Sequence, residues 1–171
     1  MKISIIGHCG SGKSTLARLI QAKLAIPHME LDRLWFTYGG PLIQNDTERQ
    51  LVKDRIEKNA LLFLTNHSSW VTDGLYPAVQ VHIAKSADII LYIDIPLTIR
   101  MFNHLKRWWK NKNRHPEISR FEDFLFTFDM IRRTRKSTPK IAELIQLYPD
   151  KIKILNSYQS VTNYLEQLER V

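Results

Sequence analysis

The pattern of apolar and polar residues predicts strands that alternate with helices along most of the chain. The apolar run at 3–6 has the form of a short buried strand, and it ends at Gly7. From Lys13 onward, apolar residues recur at helical spacing until Pro27. The opening of the chain is therefore predicted to be a strand, a glycine-rich loop and a helix.

Four more strands are predicted, at 28–32, 69–74, 88–96 and 151–155. The segment 88–96 is apolar on both faces, which favours a place inside a sheet. Alternation in 151–155 is typical of an edge strand with one face in water. Strands separated by helical segments predict an α/β fold with a parallel sheet.

Two helix starts are marked between these strands. Asn45, followed three residues later by Glu48, has the form of a capping box. The helix that it begins is predicted to pack through Leu51, Val52, Ile56 and Ala60. The stretch from 97 to about 147 is predicted to be helical, and Thr138 before Pro139 is typical of a helix start within it.

Composition limits the class of protein. The chain has 171 residues and 44% apolar residues, which fits one globular domain spanning 1–171. Its longest apolar run, Ile89 to Ile93, is too short to cross a bilayer, and a secretory leader is not predicted. With a single cysteine, Cys9, a cytoplasmic location is expected. The oligomeric state is left open.

The loop after the first predicted strand carries the pattern Gly7-x-x-x-x-Gly12-Lys13-Ser14, which is the Walker A motif in its strand-to-helix setting. Glycines allow successive backbone amides to point at phosphates, and the positive end of the following helix adds to that field. The predicted ATP-binding residues are Gly7, Gly10, Ser11, Gly12, Lys13, Ser14 and Thr15. Lys13 would reach the β and γ oxygens, and the Ser14 hydroxyl would ligate Mg²⁺.

Two aspartates fall at the carboxyl ends of predicted strands, where ligands bind in open α/β sheets. Asp73 is predicted to be the second Mg²⁺ ligand, through water or directly. Asp32 is predicted to orient or deprotonate a hydroxyl of the phosphate acceptor, or to provide a further link to the metal. A turn-forming role is the alternative for each aspartate. Asp94 is also at a strand end, but Pro96 favours a structural turn there.

The formal charge of +8 invites an anionic partner, and 12 of the 25 lysines and arginines lie in 98–140. A lid that carries several arginines would stabilise charge on a transferring phosphoryl group and exclude water. Arg100 and Arg107 are seven residues apart and share one helix face. The basic aromatic stretch 107–114 is also compatible with nucleic-acid binding.

The chain resembles P-loop kinases of the adenylate kinase and shikimate kinase type, and more closely the small bacterial topology modulation proteins. The resemblance rests on the stretches GHCGSGKSTLAR, ELDRLWF, WVTDGLYP and IDIPLTIRMFNHLKR, and on RRTR further along. Adenylate kinases usually follow their Asp-Gly-aromatic-Pro stretch with arginine, whereas Ala78 follows Pro77 here. The resemblance therefore does not single out AMP as the acceptor.

The resemblance implies a three-layer P-loop NTPase fold with five strands in the order 2-3-1-4-5. It implies an acceptor-binding region at about 33–65 and a lid at about 100–120. It also implies, by position, that phosphate is contacted by Lys13, Arg100, Arg107 and Arg132.

Two functions are carried forward from the sequence. The first is an ATP- and Mg²⁺-dependent phosphotransferase that acts on a nucleotide, a nucleoside or another small acceptor. The second is a nucleotide-binding, DNA-associated regulator with little or no kinase activity. Weak, non-specific nucleic-acid binding is expected from the charge under either function.

Overall fold

Five parallel strands form one sheet, in which the order is second, third, first, fourth and fifth along the chain, as the resemblance implies. The computed structural model describes residues 1–39, 43–109 and 120–168, without the side chains of 107, 108, 120–128, 130 and 131. The strands are β1 (Lys2–Gly7), β2 (His28–Glu30), β3 (Trp70–Asp73), β4 (Ile89–Ile93) and β5 (Ile152–Leu155). The α-helices are α1 (Lys13–Leu24), α2 (Leu31–Thr37), α3 (Asp46–Asn66), α4 (Pro77–Ser86), α5 (Leu97–Trp109), α6 (Arg120–Leu147) and α7 (Tyr158–Gln167).

The sheet is covered on both faces because its central strands are apolar on both sides. In β1, Ile3 and Ile5 pack into one core, whereas Ile6 packs into the other. The first core includes buried residues of α1 and α7, and the second includes buried residues of α3, α4 and α6. The result is a three-layer arrangement, in which the carboxyl end of β1 lies at the middle of one sheet edge.

The register brings the predicted acidic strand end next to the glycine-rich loop. Ile5 of β1 pairs with Asp73 of β3, and Asp73 pairs with Glu30 of β2 on its other side. Because all strands run in one direction, the loop after Gly7 and the turn after Asp73 emerge at the same edge.

The predicted start of α3 is confirmed. Asn45 accepts a hydrogen bond from the Glu48 amide at 2.8 Å, and its own amide donates to the Glu48 carboxylate at 3.0 Å. Val52, Ile56 and Ala60 are buried, but Leu51 is 56% exposed, so its assignment to the packing face was wrong.

Two other boundaries differ from the prediction. The second strand ends at Glu30, and Asp32 lies in the first turn of α2 rather than in the strand. The predicted helix start at Thr138 is also wrong, because α6 continues through Pro139 as one helix of 28 residues. Tertiary packing explains the continuity, since Ile141 and Leu144 are buried in the core beyond the proline.

Within the described residues, no helix is both long and apolar enough to span a lipid bilayer.

Candidate phosphate-binding site

The loop between β1 and α1 has the conformation that its glycines permit. Gly7, Gly10 and Gly12 have φ of 151°, 80° and 98°. A Cβ on Gly7 would lie 2.7 Å from the carbonyl oxygen of Ile93, so no larger residue fits there without movement. Gly12 is the N-cap of α1 and provides no side-chain cap, which leaves the first amides of the helix to an external acceptor.

Lys13 lies across this loop. Its side chain is only 9% exposed, and its ammonium donates a hydrogen bond to the His8 carbonyl at 3.1 Å. The Ser11 amide donates to the same carbonyl at 3.3 Å. The buried Ser11 hydroxyl has no partner within the part of the chain that the structure describes. A buried polar atom without a partner is costly, so the loop is better satisfied with a polar ligand in place.

The structure brings together Ser14 and Asp73, the two residues predicted to ligate Mg²⁺. The Ser14 hydroxyl donates to Asp73 Oδ2 at 2.5 Å, although the two residues are 59 positions apart. Asp73 is 1% exposed, and its Oδ1 lies 2.6 Å from His28 Nε2. The carboxylate is therefore held from both sides, and His28 is a partner that the sequence analysis did not identify.

These two oxygen donors suit Mg²⁺, which prefers hard oxygen ligands and usually binds through one or two protein groups together with phosphates and water. Among the described residues, no cluster of three or more histidine, cysteine, aspartate or glutamate side chains forms a protein-only metal cage. The Ser14–Asp73 pair thus fits a metal ion that arrives with a phosphate ligand.

A cavity of about 440 Å³ opens over the loop. Its wall includes Cys9, Gly10, Ser11, Gly12, Lys13, Ser14, Thr15, Asp32, Asn103, His104 and Tyr158. Asp32 is exposed on the first turn of α2 and lies on this wall together with the glycine loop. A Cβ on Gly74 would lie 3.5 Å from Asp32 Oδ1, which places Asp32 beside the turn that follows β3.

The other end of the cavity is formed by residues that the sequence analysis missed. The Asn103 amide donates to the Gly10 carbonyl at 3.1 Å and also bonds to the Tyr158 hydroxyl. Tyr158 is the first residue of α7 and follows Ser157, whose capping box fixes the start of that helix. Nothing local in the sequence indicated that Tyr158 lies over the loop.

The predicted arginines differ in their surroundings. Arg100 is 3% exposed, and its guanidinium donates to the Ile95 carbonyl at 2.9 Å, to the Cys9 carbonyl at 3.3 Å and to the Thr134 hydroxyl at 3.0 Å. Burial is the main cause of its lowered pKa. Arg132 is exposed on α6. The side chain of Arg107 and the part of the predicted lid beyond 109 lie outside the described residues.

His8, the residue after Gly7, is 6% exposed. Burial lowers the pKa of its imidazole, and Arg100 and Lys13 lower it further, whereas Asp94 acts in the opposite direction. The Tyr92 hydroxyl lies 3.5 Å from His8 Nε2 and donates to Asp94 Oδ1 at 3.0 Å. Burial and this bond to Asp94 raise the pKa of Tyr92 to about 12. Asp94 therefore has a side-chain partner in Tyr92, and the turn-type role stays a prediction.

Comparisons with solved structures define the fold class. Shikimate kinase from Bacteroides thetaiotaomicron has a TM-score of 0.56 at 13% identity, covering 98% of this chain and 95% of that chain. Shikimate kinase from Acinetobacter baumannii, solved in complex with shikimate, has a TM-score of 0.57 at 14% identity, covering 97% and 89%. A protein from Thermus thermophilus has a TM-score of 0.56 at 18% identity, covering 97% and 94%.

The chain therefore has a shikimate kinase-like P-loop fold. A scan against protein-family models and a search of curated proteins found no match.

Proposed function

We propose that the protein is an ATP- and Mg²⁺-dependent phosphotransferase that acts on a small-molecule acceptor. The observation that carries the proposal is the shared cavity, in which the glycine loop, Lys13, Ser14 and Asp32 line one wall. A phosphate-binding loop alone would fit a nucleotide-binding protein of any kind. A carboxylate on the same wall adds a group that can act on an acceptor hydroxyl.

In this proposal the loop amides and Lys13 bind the triphosphate. Lys13 is already directed across the loop by its bond to the His8 carbonyl, and it would exchange that bond for phosphate oxygens. Ser14 and Asp73 would hold Mg²⁺, which, when bound, would neutralise charge on the phosphate oxygens. Asp73 and Ser14 are kept in contact by the packing of β3 against β1, so little reorganisation is needed.

Asp32 is the proposed base for the acceptor. Its exposure lets it contact a bound hydroxyl, and the start of α2 places it 3.5 Å from the Cβ that Gly74 lacks. An incoming acceptor would enter along α2 and α3, the region predicted from 33 to 65. Arg132, and Arg107 on α5, are proposed to contact the transferring phosphoryl group, since cations next to that group stabilise its charge. Arg100 is proposed to support the loop from behind, because its donors are already bonded to carbonyl and hydroxyl oxygens.

An ADP-release screen against nucleosides, nucleoside monophosphates and small hydroxy acids tests the proposal. We expect one class of acceptor to raise ADP release and Lys13→Ala to abolish the effect. Asp32→Asn is expected to lower kcat by about 100-fold or more and to leave ATP binding intact. Asp150→Asn is the matched control, because Asp150 is also an exposed acid in the first turn of a helix but lies in the 3₁₀ helix Pro149–Lys151, outside the proposed acceptor region. ATP binding without acceptor-dependent ADP release from any class would contradict the transferase and leave a nucleotide-binding protein.

A further inference from the structure

Two buried side chains connect the glycine loop to one face of α6. His8 Nδ1 lies 2.8 Å from the Ser137 hydroxyl, and Arg100 Nη1 lies 3.0 Å from the Thr134 hydroxyl. The same Arg100 nitrogen bonds to the Cys9 carbonyl at 3.3 Å. Two consecutive residues of the loop are thus tied to adjacent turns of one helix.

Ser137 bonds both to His8 and to the backbone of its own helix. The Ser137 hydroxyl donates its own proton to backbone carbonyls of α6, those of Arg133 at 2.9 Å and Thr134 at 3.2 Å. The oxygen of this hydroxyl can accept a hydrogen bond from His8 Nδ1 while its proton is shared with the helix. A buried imidazole bonded to one defined partner has a fixed orientation, and so does the loop residue that carries it.

The two contacts lie beside an interruption of the helix. Pro139 has no amide to donate to the carbonyl four residues earlier, so the hydrogen-bond ladder of α6 is broken next to Ser137. After the proline, Ile141 and Leu144 are buried in the core. Before it, exposed cations project from the helix, Arg132 among them. The segment that carries Arg132 is held at its base by His8 and Arg100.

We propose that His8, Arg100, Thr134 and Ser137 form a brace that couples a nucleotide in the glycine loop to the position of the α6 segment 129–138. His8 and Arg100 act as positioning residues, because they contact the loop backbone and α6. This inference rests on the proposed function, since it needs a nucleotide in the loop. Its consequence is that ordering the loop around a triphosphate also orders the helix that presents Arg132.

Hydrogen exchange with Mg-ATP tests the brace without knowledge of the acceptor. We expect Mg-ATP to slow amide exchange in 129–138 of the unmodified protein by about tenfold. Ser137→Ala should bind Mg-ATP within about twofold of the unmodified protein and lose most of that slowing. Exchange in α1 should remain slowed in this variant, because the triphosphate still binds there.

Thr138→Ala is the matched control. Thr138 also donates its hydroxyl to a backbone carbonyl of α6, that of Thr134 at 2.8 Å, and it is exposed. The Thr138→Ala variant should show the same slowing of amide exchange in 129–138 as the unmodified protein. Ser137→Thr, which keeps a hydroxyl, should retain the coupling. Thr134→Val removes the Arg100 partner without changing shape and should also weaken the coupling. The double variant His8→Ala/Ser137→Ala should lose no more of the slowing of exchange than His8→Ala alone, because both changes break the same contact.

The outcomes separate the two proposals. If the unmodified protein does not bind Mg-ATP, the proposed function fails. If Mg-ATP binds but exchange in 129–138 is unchanged, or if Ser137→Ala and Thr138→Ala respond alike, the brace is wrong and the proposed function stands. Loss of the slowing only in variants that break a brace contact supports the coupling.

Discussion

Lys13 and Arg132 are both cations predicted to contact phosphate, yet they occupy different surroundings. Lys13 is 9% exposed and bonded to the loop that it would serve, whereas Arg132 is exposed on α6. The contrast extends to their neighbours, since Asp73 is buried between two partners and Asp32 is exposed. One half of the candidate site is preformed at the end of the sheet and the start of α1, and the proposed other half is presented by α2 and α6.

This difference has a functional meaning. Groups that bind the nucleotide gain from fixed positions, because reorganisation at the moment of reaction is costly. Groups that meet the acceptor and the transferring phosphoryl group must allow entry and exit. Stability should therefore depend strongly on the preformed half and weakly on the exposed half.

The largest stability effect is expected at Gly7. Gly7→Ala places a Cβ 2.7 Å from the Ile93 carbonyl at a φ of 151°, so clash and strain should together cost about 4 kcal/mol. Gly39→Ala is the control, because Gly39 also has a positive φ but none of the described residues lies within 4 Å of the position that its Cβ would take, and a loss of about 1 kcal/mol is expected. Urea denaturation of both variants measures the difference. Equal losses would show that the loop is not tightly packed.

Asp73→Ala should cost about 3 kcal/mol, since it removes a buried carboxylate that contacts Ser14 and His28. Asp32→Ala should change the free energy of unfolding by less than about 0.5 kcal/mol, because Asp32 is exposed. Denaturant melts of the two variants in the absence of nucleotide and metal give this comparison. A larger loss at Asp32 than at Asp73 would reverse the assignment of the preformed half.

Arg100→Ala should cost about 2 kcal/mol, because three oxygen partners lose a charged donor. Arg132→Ala should change the free energy of unfolding by less than about 0.5 kcal/mol. Thermal unfolding of both proteins tests the contrast between the buried and the exposed arginine. Indistinguishable melting temperatures would mean that the bonds of Arg100 contribute nothing net.

The smallest change in the free energy of unfolding is expected from a change of pH. The pKa of His8 is lowered in the folded protein, so at a pH just below 6.5 the unfolded chain binds more protons at this residue. Stability should therefore fall as the pH drops from 6.5 toward the lower folded-state pKa. His8→Asn should flatten that part of the pH–stability curve. A curve that keeps its slope in His8→Asn would exclude His8 as its source.

The features predicted correctly are those set by local pattern and those implied by the resemblance. The glycine loop and the α3 capping box need only neighbouring residues, and the strand order came from resemblance to a known fold. The helix start predicted at Thr138, before Pro139, is wrong because burial of Ile141 and Leu144 outweighs the local preference for a helix start. The burial predicted for Leu51 is wrong because a helix of 21 residues presents more apolar positions than the neighbouring elements can cover.

The contacts that sequence could not predict join distant parts of the chain. Asn103 and Tyr158 are 55 residues apart, and His8 and Ser137 are 129 apart, with no spacing rule that connects them. The burial of Arg100 also depends on three partners from separate segments. Such pairs follow from packing of the sheet and helices, which only the folded structure reveals.

Binding of Mg-ATP is the most direct test of the account. At about 100 times the dissociation constant, ligand should stabilise the protein by about 2.7 kcal/mol, or a rise in Tm of roughly 5–11 °C. Lys13→Ala should show no rise, and Lys53→Ala, at an exposed position on α3, should respond as the unmodified protein does. No rise in the unmodified protein at millimolar Mg-ATP, or an equal rise in Lys13→Ala, would contradict the phosphate-binding site.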